Sequence, residues 1–242
     1  MIPRRLAAGL LALLLAVPGC ATVAPQAEGA AAQVDPFEPM NRAVFRFNEF
    51  LDEVALEPVA RAYDTFVPQL FRVPIGNVFS NVWDAWTVVN QVLQGKPREA
   101  ASDAFRVAIN STLGLAGIVD LASEMGLERR REDFGQTLGR WGMGTGPYLV
   151  LPFFGPSSFR DSLGLAVDII ADPLREIGSE GRANNARLLR VVDGRASLLR
   201  AGRVVEGAAL DKYTFMRDGY FQRRRNQVWD GDPPFEEDED DQ

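Results

Sequence analysis

Apolar side chains recur at helical spacing through the middle of this chain, and this pattern restricts the possible folds most strongly. The clearest stretch runs from Ile75 to Leu93, where apolar residues cover about half of a helix circumference and polar residues cover the rest. Gly95 and Pro97 follow, a pattern typical of one helix ending and the next beginning. Since the stretch 148–154 is the only plausible extended apolar run, we predict a mainly α fold.

Other segments repeat this helical pattern. A helix from Pro39 is expected to end at Pro58. A second begins at Pro97, a third follows Ser157 or Ser158, and a longer one covers about 182–210, with a weak point at Gly194. The stripe of the first helix consists of Met40, Val44, Phe47 and Leu51. The stripe of the second consists of Ala101, Ala104, Phe105, Ala108 and Ile109. Each stripe either faces a protein core or lies at a membrane interface, and both interpretations stay open for a single helix.

The first nineteen residues have the pattern of a secretory signal. Arg4 and Arg5 precede an apolar run from Leu6 to Val17, which is too short to span a bilayer as a helix. Gly19 and Cys20 then resemble the lipobox of bacterial lipoproteins, in which the chain is cut before an acylated cysteine. That resemblance implies a covalent lipid anchor on Cys20 and, because Ala21 follows, sorting to the outer membrane. A soluble export signal with an incidental cysteine is the alternative.

The charge is unevenly distributed along the chain, whose formal net charge is −7. Residues 20–34 are expected to form a flexible tether, and residues 230–242 an acidic disordered tail with eight acids and no base. Since the signal holds two of the 26 basic residues and the tail eight of the 33 acidic ones, residues 20–229 carry 24 basic and 25 acidic residues. The body, residues 35–229, is therefore near-neutral and gives no reason to expect nucleic-acid binding.

Several kinds of functional site are excluded by residues that the sequence lacks. Without histidine, His-bearing catalytic triads and most zinc sites are ruled out. With Cys20 as the only cysteine, no intrachain disulfide or Fe–S cluster is possible. No phosphate-binding motif of the Walker or dinucleotide type occurs, so no nucleotide is expected. We therefore expect neither an enzyme nor a cofactor or metal site; lysine- or carboxylate-based lipase chemistry stays formally open.

Glycines are concentrated between residues 135 and 155. Gly142, Gly144 and Gly146 alternate with other residues, and Pro147 follows directly. Because glycine adopts backbone conformations that other residues avoid and permits close approach, this segment is a candidate hinge or wall of a narrow passage. An ordinary surface loop is the alternative.

Six segments, in this order, resemble the MlaA (VacJ) family of outer-membrane lipoproteins. They are DPFEPMNRAVFRFN (35–48), FVPQ (66–69), VNQVLQGKP (89–97), INSTLGLAGIVDLA (109–122), EDFGQTLGRWGMGTGPYLVLPFFGPSSFRD (132–161) and YTFMRDGYFQRRR (213–225). The central segment is the most distinctive of these.

The resemblance implies a ring of amphipathic helices that lies in the plane of the outer membrane around a central amphipathic channel. The implied function is removal of mislocalised phospholipid from the outer leaflet and its transfer to a soluble periplasmic carrier, in association with a trimeric porin. It also implies that the helix of Met40, Val44, Phe47 and Leu51 is embedded in the membrane, and that Gly142, Gly144, Gly146 and Pro147 form the hinge of the channel. A structural envelope lipoprotein without lipid transfer is the alternative.

Overall fold

The computed structural model describes residues 35–176, 180–208 and 211–234. The predicted signal (1–19), the predicted tether (20–34) with Cys20, and most of the predicted tail lie outside these ranges. Helices dominate the described chain, so the prediction of a mainly α fold is confirmed. Within the three described ranges, no helix combines the length and the apolar character needed to cross a membrane.

Helices α1 (Glu38–Leu51) and α2 (Glu57–Phe66) are joined directly by a π-helical turn, Asp52–Leu56. The prediction that Pro58 ends the first helix is therefore wrong. Proline lacks the N–H group of a regular helix, and its ring collides with the carbonyl four residues earlier. The π turn lies directly before Pro58, and its wider hydrogen-bond spacing accommodates the proline.

Helices α3 (Gln69–Leu93) and α4 (Pro97–Thr112) pack along each other over much of their length. Helix α3 begins before the predicted start at Ile75 and includes Pro74 within its first turns. Gly95 ends it with a φ of 74°, and the N–H of Lys96 donates to the carbonyl of Gln91 at 2.9 Å. The predicted boundary at Gly95 and Pro97 is thus confirmed, because this left-handed position favours glycine.

Two short helices and a hairpin follow. Helix α5 (Leu121–Glu124) and helix α6 (Phe134–Arg140) each begin after an aspartate whose side chain accepts a backbone hydrogen bond. Strands β1 (Tyr148–Leu151) and β2 (Gly155–Ser158) then form an antiparallel pair in which Tyr148 faces Ser158. The predicted extended run is therefore confirmed for the residues of β1.

Three longer elements complete the described chain. Helix α7 (Phe159–Ala171) is capped by Ser158, as predicted, because the serine side chain accepts a hydrogen bond from the N–H of Asp161 at 3.2 Å. A 3₁₀ turn, Pro173–Glu176, leads to helix α8 (Glu180–Ala208), which continues through Gly194. Helix α9 (Lys212–Val228) is capped by the side chain of Asp211.

The hydrophobic core is small and aromatic, and it lies where α1, the hairpin and α9 meet. It contains Phe45, Tyr148, Val150, Tyr213 and Tyr220. The rings of Phe45 and Tyr213 meet edge to face, with centroids 5.6 Å apart. Such contacts stabilise an aromatic pair beyond the effect of burial alone.

Two asparagines of α1 attach the hairpin to this core. The side chain of Asn41 donates to the carbonyl of Tyr148 at 3.0 Å and accepts from the N–H of Val150 at 2.9 Å. The side chain of Asn48 likewise donates to the carbonyl of Leu151 and accepts from the N–H of Phe153, both at 2.9 Å. The two side-chain amides thus form the hydrogen bonds that a neighbouring strand would form, and they pair backbone groups along the free edge of the hairpin.

Candidate functional site

The inward-facing side of α3 is polar and its outward-facing side is apolar. Its buried residues are Asn81, Asp84, Thr87, Asn90 and Gln91. Val92, in contrast, is 63% exposed, and Val89 and Leu93 are also exposed. The apolar stripe predicted from Ile75 to Leu93 therefore faces outward at its C-terminal end, and the polar half of the helix forms the interior.

Helices α4 and α7 have the same reversed arrangement. On α4, Asp103 and Arg106 are fully buried while Phe105 of the predicted stripe is 66% exposed. On α7, Arg160 is buried while Ile170 is 69% exposed. Water-soluble proteins bury charged side chains rarely and only when these are paired. Large exposed apolar surfaces indicate contact with a membrane or with another protein.

A first ionic cluster fills the interior between α3, α4 and the segment before α6. Arg106 lies 3.2 Å from Asp120, and Arg129 lies 3.3 Å from Asp84 and 3.2 Å from Asp120. Burial raises the pKa of Asp84 to about 6, although the charges of Arg129 and Arg106 oppose this shift. Burial also raises the pKa of Asp103. These carboxylates are compensated mainly by charge, because neither oxygen of Asp84 accepts a hydrogen bond from the described residues.

A second ionic cluster joins α6, α7 and α9 through Arg224. Its guanidinium group lies 2.5 Å from Asp133 and 2.6 Å from Asp161. Burial alone would raise the pKa of both aspartates, but their pairing with Arg224 holds each pKa below its ordinary value. The hydroxyl group of Tyr220 also donates to Asp161. Arg224 therefore connects α9 to α7 and to the aspartate that caps α6.

Two cavities open beside these helices. The first, of about 700 Å³, lies between α2, α3 and α8, and we call it the balanced cavity. Its charged lining residues are two cations and two anions: Arg61, Arg72, Asp64 and Asp193. Arg72 pairs with Asp64, and the hydroxyl group of Tyr63 donates to Asp193 at 3.0 Å. The formal charges of its lining residues therefore sum to zero.

The second cavity, of about 640 Å³, lies between α1, the π turn, α2, the hairpin and α9, and we call it the acidic cavity. Its charged lining residues are Glu49, Asp52, Glu53, Glu57, Arg61 and Lys212. Its apolar lining residues include Phe45, Pro58, Pro156 and Met216. It thus combines an excess of carboxylates with an apolar wall.

Arg61 lines both cavities, so the two adjoin at this side chain. Its guanidinium group pairs with Glu57 at 2.5 Å across one turn of α2, and the side chain stays 56% exposed. An arginine in this position is long and mobile enough to contact a molecule in either cavity. The geometry therefore makes the two cavities and Arg61 the candidate site.

The predicted channel residues Gly142, Gly144, Gly146 and Pro147 lie in the exposed loop between α6 and β1. Gly142 and Gly146 have φ values of 93° and 69°, which favour glycine. None of the four is among the residues that line the two cavities. Their role as a hinge stays a prediction, and the cavity walls come instead from other elements.

The predicted membrane-embedded stripe of α1 faces partly outward. Met40 is 51% exposed and Phe47 is 44% exposed, whereas Val44 and Leu51 are half-buried. The ring of Phe47 meets that of Phe153 at the hairpin turn, with centroids 5.8 Å apart. The two rings form an exposed apolar projection on this side of the molecule.

The residues that line the cavities were not predicted from the sequence. Glu57 and Arg61 are four residues apart, which in a sequence indicates only an ordinary surface ion pair. The one available signal was the concentration of acids directly before Pro58, at Asp52, Glu53 and Glu57, where the π turn forms. Such turns are frequent at functional sites.

Comparison with known proteins assigns this chain to a family. Residues 33–227 match the family model described as MlaA lipoprotein. The chain is 34% identical over 226 residues to the intermembrane phospholipid transport system lipoprotein MlaA of Escherichia coli K12, covering 90% of this chain and 86% of the relative. The protein of the same name from Shigella flexneri matches to the same extent.

Further similarity extends to uncharacterised proteins and to a solved structure. An uncharacterised protein of Rickettsia typhi is 40% identical over 127 residues, and the match spans 52% of this chain and 51% of that relative. A structure described as a structural basis for maintenance of bacterial outer membrane lipid asymmetry matches with a TM-score of 0.71 and 32% identity. That match covers 81% of this chain and 99% of the other.

Proposed function

Because this chain belongs to the MlaA lipoprotein family, we propose that it removes mislocalised phospholipid from the outer leaflet of the outer membrane and passes it to a soluble periplasmic carrier. The process maintains the lipid asymmetry of that membrane. The observation that carries the proposal is the reversed polarity of α3, α4 and α7, whose polar sides face inward and whose apolar sides face outward. The two adjoining cavities, with their charged walls, are the candidate passage.

The apolar outer surface supports a position within the membrane. Exposed side chains such as Phe105, Val92 and Ile170 contact acyl chains, and the helices that carry them lie along the membrane plane. Each methylene group removed from water contributes about 0.8 kcal/mol, so a few such side chains and a lipid anchor hold the protein firmly. Cys20 provides that anchor.

The two cavities form the passage for the lipid headgroup. A charged headgroup is costly to move through hydrocarbon, whereas acyl chains are costly to expose to water. The polar walls beside Arg61 cover the headgroup, and the apolar residues of the acidic cavity cover the first methylene groups. Since the chain has no nucleotide-binding motif, net direction comes from an acceptor that binds the lipid more tightly.

Two further proteins complete the proposed pathway. A soluble carrier receives the lipid on the periplasmic side, and a trimeric porin holds the lipoprotein in place within the membrane. Both associations come from the family resemblance. The protein itself acts on phospholipid without cleaving it.

The proposal is tested by measuring phospholipid in the outer leaflet of cells that lack this protein. Expression of the intact chain should restore the low outer-leaflet level of wild-type cells, and Cys20→Ala should restore it poorly because the anchor is lost. A full restoration by a protein unable to transfer labelled phospholipid from vesicles to a carrier would instead establish a structural envelope lipoprotein. Release of fatty acid during that transfer assay would establish a lipase.

A further inference from the structure

We propose that the acidic cavity binds the ammonium group of a zwitterionic phospholipid headgroup, phosphoethanolamine, through Glu53, so that the passage favours zwitterionic over anionic lipids. The inference rests on the proposed passage and adds the class of lipid that it prefers.

The charge pairing inside the acidic cavity leaves one carboxylate without a cation. Glu49 pairs with Lys212 at 2.6 Å, Asp52 pairs with Arg195 at 2.6 Å, and Glu57 is shared by Arg61 and Arg195. Glu53 has no ion pair with any residue that the structure describes, although it lines the same cavity. The cavity therefore presents one anionic group that is not neutralised.

The π turn places this carboxylate in the cavity. Asp52 and Glu53 are the first two residues of the turn, and Pro58 follows it closely and lines the same space. The adjacent ion pairs hold Asp52 and Glu57, so two of the carboxylates beside Glu53 are already engaged. A primary ammonium group, with three N–H donors and one positive charge, complements the carboxylate that stays free.

The composition of the wall indicates a lipid rather than a small free amine. Phe45, Pro58, Pro156 and Met216 line the same cavity, and they provide an apolar surface for a glycerol backbone and the first methylene groups. Arg61, at the junction of the two cavities and largely exposed, provides guanidinium donors for the phosphate. The cavity thus offers a partner to each part of a phosphoethanolamine lipid.

The balanced cavity gives an internal comparison. Its two arginines and two aspartates sum to a formal charge of zero, whereas four carboxylates and two cations line the acidic cavity. The balanced cavity therefore discriminates little between headgroups of different net charge. The preference therefore arises in the acidic cavity, where an anionic headgroup would meet the unpaired charge of Glu53. At an exposed site, a charge difference of this kind corresponds to a modest factor, about fivefold.

The experiment uses the full acylated chain in vesicles that contain equal amounts of labelled phosphatidylethanolamine and phosphatidylglycerol. Transfer of each lipid to the periplasmic carrier is measured at low and at high ionic strength. The intact protein should transfer phosphatidylethanolamine about fivefold faster, and the ratio should fall towards one in high salt because exposed charges are screened.

The variants test whether Glu53 itself, rather than surface charge in general, causes the headgroup preference. Glu53→Gln should bring the ratio close to one, and Glu53→Lys should reverse it in favour of phosphatidylglycerol. Glu124→Gln is the matched control, since Glu124 is also exposed, has no ion pair among the described residues and lies outside both cavities. This control should keep the ratio of the intact protein.

The outcomes distinguish this inference from the proposed function. Equal transfer of both lipids by the intact protein, or a ratio unchanged in both Glu53 variants, would overturn the headgroup preference and leave the transport function standing. Absence of transfer of either lipid by the intact protein would overturn the proposed function itself.

Discussion

The aromatic core and the polar interior are stabilised by opposite means. Where α1, the hairpin and α9 meet, rings such as those of Tyr148 and Tyr213 pack against one another, as in a water-soluble domain. Between α3 and α4, the interior consists of charged groups such as Asp84 and Arg106, and the apolar side chains face outward. The first region is stabilised by apolar burial and the second by charge compensation.

Under the proposed function, this difference separates the part of the molecule that faces water from the part that faces lipid. A polar interior is tolerated when the groups inside it are paired and the apolar faces are covered by hydrocarbon. The aromatic core buries its apolar side chains within the protein, and it holds the hairpin and α9 beside the acidic cavity. Four predictions test this comparison.

The largest effect is expected at Arg106. Replacement by Met leaves the carboxylates of Asp84, Asp103 and Asp120 without their buried cation, and should lower the free energy of unfolding by about 3–5 kcal/mol. Denaturant unfolding in detergent micelles measures this. The contrasting control is Tyr148→Phe, expected to be nearly neutral because no described residue bonds the Tyr148 hydroxyl group. Equal losses for the two variants would contradict the comparison.

A second effect concerns Asp168, which is buried on α7 and accepts hydrogen bonds from Trp86 at 2.7 Å and from the N–H of Phe134 at 3.0 Å. Burial raises its pKa to about 6 from an ordinary value of 3.8, against the effect of those hydrogen bonds. Its ionised form therefore destabilises the fold above about pH 6, and this penalty disappears as the pH falls towards 3.8.

Asp168→Asn should accordingly stabilise the protein at pH 8 by about 2–3 kcal/mol, because an amide oxygen accepts both hydrogen bonds without a buried charge. Its advantage should shrink between pH 6 and pH 4. Unfolding curves across this range measure it. Asp133 and Asp161, whose pKa values are lowered, lose their stabilising contribution only at more acidic pH. A variant less stable than the parent at pH 8 would refute the assignment.

A smaller effect is expected at Asn48, which binds the hairpin edge through Leu151 and Phe153. Asn48→Ala removes both hydrogen bonds at a partly exposed position, and should destabilise the protein by about 1–2 kcal/mol. Amide hydrogen exchange should increase at Phe153 while that of Val150, held by Asn41, changes little. Uniform exchange throughout the hairpin would show that Asn48 does not act locally.

The smallest effect on stability is expected on the outer surface. Phe105→Ser should change the free energy of unfolding in micelles by less than about 0.5 kcal/mol, because the ring is 66% exposed. In the background of Cys20→Ala, it should reduce vesicle binding severalfold, since the ring no longer enters the bilayer. Glu124→Gln serves as the control. Unchanged vesicle binding would place this face away from lipid.

Much of the local structure was predictable because local signals determine it. Ser158 caps α7, Gly95 ends α3 and Pro97 begins α4, since side-chain caps and left-handed backbone positions depend on a few neighbouring residues. Pro58 was misleading, because proline ends most helices but a π turn accommodates it here. The ordered sequence motifs predicted membership of the MlaA family, and the match of residues 33–227 to the family model confirmed it.

The sequence by itself determined where most of the longer helices lie and which sides of them are apolar. Only the tertiary structure decided that the polar sides of α3, α4 and α7 face inward, because periodicity is the same whichever side is buried. Only the tertiary structure brought Glu53, Arg61 and Lys212 to one cavity. Contacts between residues this far apart depend on how whole helices pack, and no local pattern encodes that.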